Sequence, residues 1–238
     1  MKRSSTDREI LYEDNHLIIV NKLPSDIVQG DKTGDEPLGE SVKLYLKEKY
    51  SKPGEVFLGV VHRLDRPVSG AVIFARTSKA LSRLNIMLRD GEIHKTYWAV
   101  VKNPPPAPEG RLVQHLVRNE KQNRSYVHDK PVPASREAIL TYRLLARSTD
   151  YYLLEINLLT GRHHQIRAQL AAMGCPIKGD LKYGFPRSNP GGFIHLHART
   201  LEFVHPVRKE TIQVVADPPA DPLWNHFVAG QTPKGTQP

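Results

Sequence analysis

The stretch VVHRLDRPVSG (residues 60–70) marks where one apolar strand is expected to end and the next to begin. The apolar runs over 57–61 and 71–75 flank its charged centre, and each run is typical of a strand. Asp65 stands at this boundary between two arginines, where we expect a carboxylate to be partly buried and to need a cationic or hydrogen-bonding partner. The residues alone leave two interpretations open, a functional carboxylate or a turn whose charges pair on the surface.

Outward from this stretch, hydrophobic periodicity predicts many strands and few helices. Besides the two flanking runs, we expect two short strands in 9–22, strands over 93–101, 111–117, 136–145 and 151–159, and a strand pair or one bent strand in 191–206. Helices are expected over 38–50, 77–91 and 163–174, the second capped by Thr77 or Ser78 and closed by Gly91. Because regular βαβ alternation is lacking, the pattern predicts an α+β fold with a mixed, mostly antiparallel central sheet and flanking helices.

Domain organisation follows from length and from proline content. The length of 238 residues favours a single domain over 1–238. The segment PPPAPEG (104–110) is a rigid connector, near which two lobes would meet. After residue 218 the chain is rich in proline, and we expect a loosely ordered tail over 218–238.

Charge is distributed unevenly along the chain. The net charge is +9, and residues 56–200 alone carry 22 Lys and Arg against 10 Asp and Glu, a balance of +12. A basic centre between mildly acidic ends predicts a polyanion-binding surface, and a solvated basic face is the alternative.

Composition also excludes several classes of protein. The longest apolar runs are only a few residues, so we expect no membrane span, and residues 1–10 lack the apolar stretch of a signal peptide. Cys175 is the only cysteine, which excludes internal disulfides and cysteine-based metal sites. A single cysteine also favours a reducing compartment, so we expect a cytoplasmic protein.

Two further segments could carry chemistry. In KTYW (95–98), Tyr97 could stack on a base, although an aromatic residue in a strand is more often part of the core. In TGRHHQIR (160–167), a strand ends and a helix begins with basic residues, so backbone N–H groups there could attract an anion. Arg167 would lie one turn after His163 on the same helix face, where a guanidinium suits a bidentate carboxylate or phosphate contact. An exposed basic helix start is the alternative.

A zinc site is a further interpretation of the histidines. His163, His164, His195 and His197 could supply ligands, since His195 and His197 would share one face of a strand. Neither an HExxH pattern nor paired cysteines accompanies these histidines, so we expect no metal site.

Five motifs, in order along the chain, resemble those of the RluA-type RNA pseudouridine synthases. They are YEDNHLIIVNKLPS (12–25), HRLDRPVSG (62–70), KTYWA (95–99), TGRHHQIRAQL (160–170) and HLHARTLEFVHP (195–206). The resemblance implies the pseudouridine synthase fold, with an RNA-binding cleft across its sheet. It also implies isomerisation of uridine to pseudouridine in transfer or ribosomal RNA, by a monomer that needs neither cofactor nor metal.

The resemblance implies roles for individual residues. Asp65 matches the essential aspartate of the family, and Tyr97 matches the tyrosine that stacks on the target base and is placed to handle protons. Arg167 matches the arginine that pairs with the catalytic carboxylate, and Arg63 one that fills the gap left by the flipped nucleotide. The other residues of these motifs expected to contact RNA are His62, Arg162, His163 and Gln165.

The chemistry of the reaction calls for these residue types. The base must leave C1′, rotate and rejoin through carbon, which requires that it be flipped out of its stack. A carboxylate can act as nucleophile or as base, and an adjacent guanidinium favours its ionised form. The residues do not decide which of these roles Asp65 takes, and they assign no role to Arg66. A protein that only binds RNA would be expected to lack Asp65, Tyr97 or Arg167, and all three are present.

Three positions depart from the family pattern. Val68 stands in place of a threonine, Leu23 in place of a proline and Gln169 in place of a histidine. These changes bear on local loop geometry and leave the catalytic groups in place. Because the first motif begins at residue 12, we also expect no S4-like RNA-binding domain ahead of it.

Overall fold

The computed structural model describes residues 9–30 and 34–231. In chain order, the strands are β1 (Ile10–Glu13), β2 (Leu17–Lys22), β3 (Gly59–Val60), β4 (Ser69–Ala75), β5 (His94–Val101), β6 (Glu109–Asn119), β7 (Arg124–His128), β8 (Arg136–Arg147), β9 (Tyr152–Leu158), β10 (Leu196–Val204) and β11 (Thr211–Val215). The helices are α1 (Leu38–Lys49), α2 (Ser78–Arg89), α3 (Gln165–Ala172) and α4 (Pro222–Gln231). Among these described elements, no helix is long and apolar enough to cross a membrane.

The described residues fall into two units. Unit 1 contains 9–30, 34–96, 190–194 and 198–217, and unit 2 contains 97–189, 195–197 and 218–231. The chain first passes from unit 1 to unit 2 after Thr96, within β5. The crossing therefore does not lie near 104–110, where the sequence predicted that two lobes would meet, because that segment only connects β5 to β6 inside unit 2.

Unit 1 is built on strands in the order β1-β2-β4-β10-β11, with β3 paired to β4. β2 and β4 are antiparallel neighbours, and every residue of both strands is buried. Their side chains form a core with α2, β10 and β11, which explains the uninterrupted apolar runs that predict these two strands.

Local signals define α2 as predicted. Thr77 is its N-cap, and the Thr77 hydroxyl accepts a hydrogen bond from Ala80 N at 3.1 Å. Gly91 follows the helix with a φ of 78°, a left-handed conformation that favours glycine. The choice that the sequence left between Thr77 and Ser78 is therefore decided in favour of Thr77.

Unit 2 is built on strands in the order β5-β9-β8-β6-β7. The pairs β8–β9, β6–β8 and β6–β7 are antiparallel. On one side of this sheet, Trp98 and Val100 of β5 pack with Leu153 and with Trp224 and Phe227 of α4. The prediction of an α+β fold with a mixed, mostly antiparallel sheet and flanking helices is confirmed.

The predicted loose tail over 218–238 is wrong for α4. Trp224 and Phe227 are each 1% exposed, so burial of their rings holds this helix in place. Asp221 caps α4 by accepting hydrogen bonds from two of its first backbone N–H groups. An Asp-Pro start is a helix signal that the sequence carries, whereas residues 232–238 of the predicted tail lie outside the described residues.

The sequence predicts neither β7 nor β11. β7 is a polar segment that becomes a strand by antiparallel pairing with β6, so its own periodicity does not reveal it. β11 pairs with β10 in the same way. Of the two possibilities for 191–206, the structure has a single strand, β10, which starts at Leu196 after a short 3-10 turn.

Candidate functional site

The turn that follows Asp65 is held by hydrogen bonds to its backbone carbonyls. The Asp65 carbonyl accepts from Val68 N at 3.0 Å, and the Arg66 carbonyl accepts from Ser25 N at 3.0 Å. The Pro67 carbonyl accepts from a further backbone N–H at 3.1 Å. Because these consecutive carbonyls are bonded, the half-buried Asp65 side chain projects from a backbone with little freedom.

Lys22, the last residue of β2, adds a buried cation to this turn. Its side chain is fully buried, and Nζ donates to the carbonyl oxygens of Leu23 at 3.1 Å, Arg66 at 3.2 Å and Val68. A buried ammonium needs such acceptors, and the turn supplies them. Lys22 of the first motif therefore helps to hold the turn after Asp65, a role that the sequence does not reveal.

Gly70 shows how closely the chain packs at the end of this turn. Its φ is 117°, and a Cβ atom at this position would lie 2.3 Å from the carbonyl oxygen of Ala198 in β10. Backbone cannot give way as a flexible side chain can, so only glycine fits here.

The His62 side chain hydrogen-bonds to the backbone of β4 just after β3 ends. Its Nε2 accepts a hydrogen bond from Ile73 N at 3.2 Å, so the ring replaces a strand carbonyl. This replacement explains why the strand predicted over 57–61 is reduced to β3. Burial, and then the charge of Lys95, lower the pKa of His62 to about 3. The ring is neutral at pH 7 and has a structural role, while its predicted RNA contact stays a prediction.

The two arginines beside Asp65 have different surroundings. Arg63 is exposed, and its Nη1 lies 3.5 Å from Gln29 Oε1, so its side chain reaches solvent, as a contact with RNA requires. Arg66 Nη1 lies 2.6 Å from Asp35 Oδ2 in a partly exposed ion pair. Arg66 thus has a partner in the acidic loop before α1, which the sequence does not indicate.

Tyr97 is a buried residue of β5 and belongs to unit 2. Its neighbour Trp98 packs against Trp224 in the core that α4 covers. Because successive side chains of a strand point to opposite faces, Tyr97 faces away from that core, as period two predicts.

The segment over 160–165 is shaped by the buried side chain of Gln165. Gln165 Oε1 accepts from Thr160 Oγ1 at 2.9 Å and from Arg162 N at 3.0 Å, while Nε2 donates to a backbone carbonyl of β8 at 3.1 Å. Arg162 Nε donates to the Glu137 carbonyl at 2.8 Å. The Gln165 amide therefore holds the segment, while the predicted RNA contact of this residue stays a prediction.

The helix predicted over 163–174 starts two residues later than expected. His164 is its N-cap and has a φ of 53°, a left-handed conformation, so α3 begins at Gln165. His163 therefore lies outside the helix, and the prediction that it shares a helix face with Arg167 is wrong.

Contacts with the β6–β7 hairpin and with Tyr183 fix these two histidines. His163 Nδ1 lies 2.9 Å from Ser125 Oγ and Nε2 lies 3.0 Å from Asn123 Oδ1. His164 Nδ1 lies 3.0 Å from Tyr183 Oη, and the two imidazole rings stack with centroids 3.8 Å apart. These tertiary contacts fix the left-handed backbone at His164, which delays the start of α3 to Gln165.

Arg167 is a buried residue of α3, and its guanidinium pairs with Asp180. Nε lies 2.7 Å from Asp180 Oδ2, and Nη2 lies 2.9 Å from Asp180 Oδ1. A bidentate carboxylate contact is the kind of contact that the sequence predicted for Arg167, but Asp180 itself was not singled out. The predicted pairing of Arg167 with Asp65 stays a prediction.

The strand histidines considered for zinc have other partners. His195 Nε2 lies 3.0 Å from Asp221 Oδ1, and Nδ1 lies 3.0 Å from Asn189 Nδ2. The His197 ring packs against Trp224 with centroids 6.1 Å apart. Within 9–30 and 34–231, no group of three or more His, Cys, Asp or Glu side chains could hold a metal ion.

Two histidines with lowered pKa values, His62 and His195, predict that acid destabilises the protein. Burial lowers the pKa of His62 to about 3 and that of His195 to about 4, the latter against the opposing effect of Asp221. Unfolded histidine titrates near pH 6.5, so below that pH the unfolded state binds more protons and stability falls as pH falls. We expect the free energy of unfolding to decrease by about 4 kcal/mol between pH 7 and pH 5, roughly half from each histidine.

Urea unfolding across this pH range measures the effect. Substituting both histidines by glutamine should flatten the pH profile, whereas His94→Gln, at an exposed position, should leave it unchanged. A steep profile that persists in the double variant would contradict the assignment to His62 and His195.

Comparison with known proteins identifies the class to which this fold and these motifs belong. The family model for RNA pseudouridylate synthases matches residues 16–172, a range that contains Asp65, Tyr97 and Arg167. The solved structure of human RNA Pseudouridylate Synthase Domain Containing 4 has the same fold, with a TM-score of 0.76 at 22% identity over 92% of this chain and 91% of that one. The chain belongs to the RNA pseudouridylate synthase family, as the motif resemblance implied.

Relatives at higher identity are longer than this chain. An uncharacterized RNA pseudouridine synthase of Synechocystis is 35% identical over 218 residues, which cover 89% of this chain and 66% of that protein. Ribosomal large subunit pseudouridine synthase D of Xylella fastidiosa is 34% identical over 226 residues, covering 90% of this chain and 66% of that protein. The chain thus spans slightly less than two thirds of the length of these relatives.

Proposed function

We propose that this protein is an RNA pseudouridine synthase, with Asp65 as its catalytic group. The observation that carries the proposal is the turn after Asp65, where bonded carbonyls and the buried Lys22 ammonium hold the family's aspartate motif in one conformation. A catalytic group must be held within a small distance of its productive position, and this turn meets that requirement. The similarity to a ribosomal large subunit pseudouridine synthase favours ribosomal RNA over transfer RNA as the substrate.

The proposed reaction assigns a separate role to each of four motif residues. Asp65 acts on the flipped uridine as nucleophile or base, and Tyr97 stacks on the base. Arg63 fills the gap that the flipped nucleotide leaves, for which its exposed guanidinium is suited. Arg167 keeps the catalytic carboxylate ionised, and no cofactor or metal takes part.

The basic centre of the chain supports RNA as the partner. The net charge of +12 over residues 56–200 favours binding to the phosphate backbone of RNA. Phosphate contacts do not depend on the bases, so this charge does not select a particular RNA sequence. Arg162 and His163 are the residues of the fourth motif that we assign to contacts with the RNA phosphate backbone. We further propose that the enzyme acts as a monomer in the cytoplasm.

Pseudouridine mapping tests the proposed function. RNA from cells that lack the gene should gain pseudouridine at one or a few positions when it is incubated with the purified protein. RNA from wild-type cells is the matched control, since its target positions are already modified and should gain nothing. Tight binding of both RNA samples without any new pseudouridine would contradict the proposal and favour a protein that only binds RNA.

A further inference from the structure

We propose that Asp180 is a positioning residue that aims the guanidinium of Arg167. The inference rests on the proposed function, because it is the catalytic carboxylate of that function that Arg167 is assigned to serve. Neither the motif resemblance nor the sequence patterns single out Asp180, which lies ten residues beyond the fourth motif. Its role follows from the geometry of unit 2.

The first step is the direction in which Arg167 points. A guanidinium is a planar fork, and the edge of Arg167 formed by Nε and Nη2 donates to both carboxylate oxygens of Asp180 at 2.7 and 2.9 Å. Two parallel bonds fix the plane of the fork as well as its distance. The direction of the remaining donor edge, which ends in Nη1, is therefore set by Asp180.

The second step is that water competes little for this pair. The side chain of Arg167 is 6% exposed and that of Asp180 is 1% exposed. Charge-assisted hydrogen bonds out of water are strong, so the geometry persists. A buried ion pair contributes little net stability compared with apolar side chains of the same size, so stability alone is a weak reason for this pair.

The third step is that Asp180 is itself held by a rigid support. Lys178 N donates to the Val100 carbonyl of β5 at 2.9 Å, and His195 N donates to the Lys178 carbonyl at 3.0 Å. Asp180 N donates to the Ile177 carbonyl at 3.0 Å, which closes the turn that carries its side chain. The carboxylate is thus anchored to buried backbone of the sheet of unit 2, and not to a surface loop.

Tyr183 completes the setting of Arg167 on a second side. The Arg167 guanidinium carbon lies 5.1 Å from the centroid of the Tyr183 ring, within the range of a cation–π contact. The Tyr183 hydroxyl accepts from Ser125 N at 2.8 Å and contacts His164 Nδ1, so the ring cannot turn freely. Arg167 is therefore held in its plane by Asp180 and across its face by Tyr183.

A double-mutant cycle tests whether Asp180 acts through Arg167. Single-turnover rates of pseudouridine formation and Kd for the RNA are measured for wild type, Asp180→Asn, Arg167→Lys and the double variant. We expect Asp180→Asn to lower the rate at least about tenfold with a Kd within about threefold of wild type, because small misplacements of a positioning group act on the chemical step. In the Arg167→Lys background, Asp180→Asn should lower the rate little further, because the effects of two coupled residues do not add.

Asp221→Asn is the matched control, because it removes another carboxylate from a buried basic side chain, that of His195, in the same unit. It is expected to lower the melting temperature while keeping the rate per folded molecule.

An Asp180→Asn rate within twofold of wild type, or an equal loss in both Arg167 backgrounds, would overturn the inference. If Asp180→Asn does not fold, Asp180→Glu replaces it in the double-mutant cycle. This variant keeps the negative charge but moves the carboxylate, and the same rate and Kd criteria apply. Wild type without activity contradicts the proposed function, whereas active wild type with an unaffected Asp180 variant contradicts this inference alone.

Discussion

Replacing Asp65 by asparagine is expected to lower the rate of pseudouridine formation by about a thousandfold or more, because a neutral amide can be neither nucleophile nor base. The substitution keeps the size of the side chain. It also leaves the Asp65 carbonyl free to accept from Val68 N, since that hydrogen bond belongs to the backbone. The turn should therefore keep its shape, and the affinity for RNA should change by no more than about threefold.

Single-turnover assays with the RNA identified by mapping measure this effect, and filter binding measures the affinity. Asp90→Asn is the matched control, because Asp90 is an exposed aspartate that pairs with Arg89 on the surface. It should retain the wild-type rate. Substantial activity in the Asp65 variant would refute the assignment of the catalytic group, whatever the control shows.

Replacing Gly70 by alanine is expected to destabilise the protein by about 3 kcal/mol or more, because two penalties act at one position. A φ of 117° is unfavourable for alanine, and the added Cβ would lie 2.3 Å from the Ala198 carbonyl oxygen and 2.5 Å from its nitrogen. Gly70 also lies opposite Lys22 in the β2–β4 register, so any shift acts on the cation that holds the turn after Asp65. Activity per folded molecule should fall together with stability.

Gly174→Ala separates the two penalties. Gly174 also has a positive φ, of 83°, but a Cβ there would meet no atom within 4 Å. Denaturant unfolding of the two variants should show a loss of about 1 kcal/mol for Gly174→Ala and a much larger one for Gly70→Ala. Equal losses would mean that the close approach of Ala198 contributes nothing.

Parts of the fold could be predicted because their signals are local. The Thr77 cap and Gly91 bound α2, and the apolar run at 71–75 became β4 because both of its faces are buried. Asp221 before a proline is an equally local signal for the start of α4. β7 differs, because its polar residues become a strand only when β6 supplies the hydrogen bonds.

In the candidate site, too, some residues could be predicted from local sequence and others only from tertiary contacts. Asp65, Tyr97 and Arg167 could be proposed from motif order, and the family to which the chain belongs was correctly indicated. The structural roles of Lys22, His62 and Gln165 could not be predicted, because they depend on which groups the fold places around each side chain. The sequence shows His62 only as a titratable group, and its surroundings in the fold lower its pKa to about 3, so the ring stays neutral in acid where an ordinary histidine becomes charged.

Residue types and their order along short stretches were enough to indicate the family, the α+β class and the aspartate placed between two strands. The groups that hold this aspartate and Arg167 could be found only from the folded chain. Lys22 at the end of β2 donates a hydrogen bond to the Arg66 carbonyl in the turn before β4. Arg167 of α3 pairs with Asp180, which lies in the segment after that helix. Such pairs form when folding brings distant residues together and removes water from their charges, and neither event leaves a mark in the local sequence.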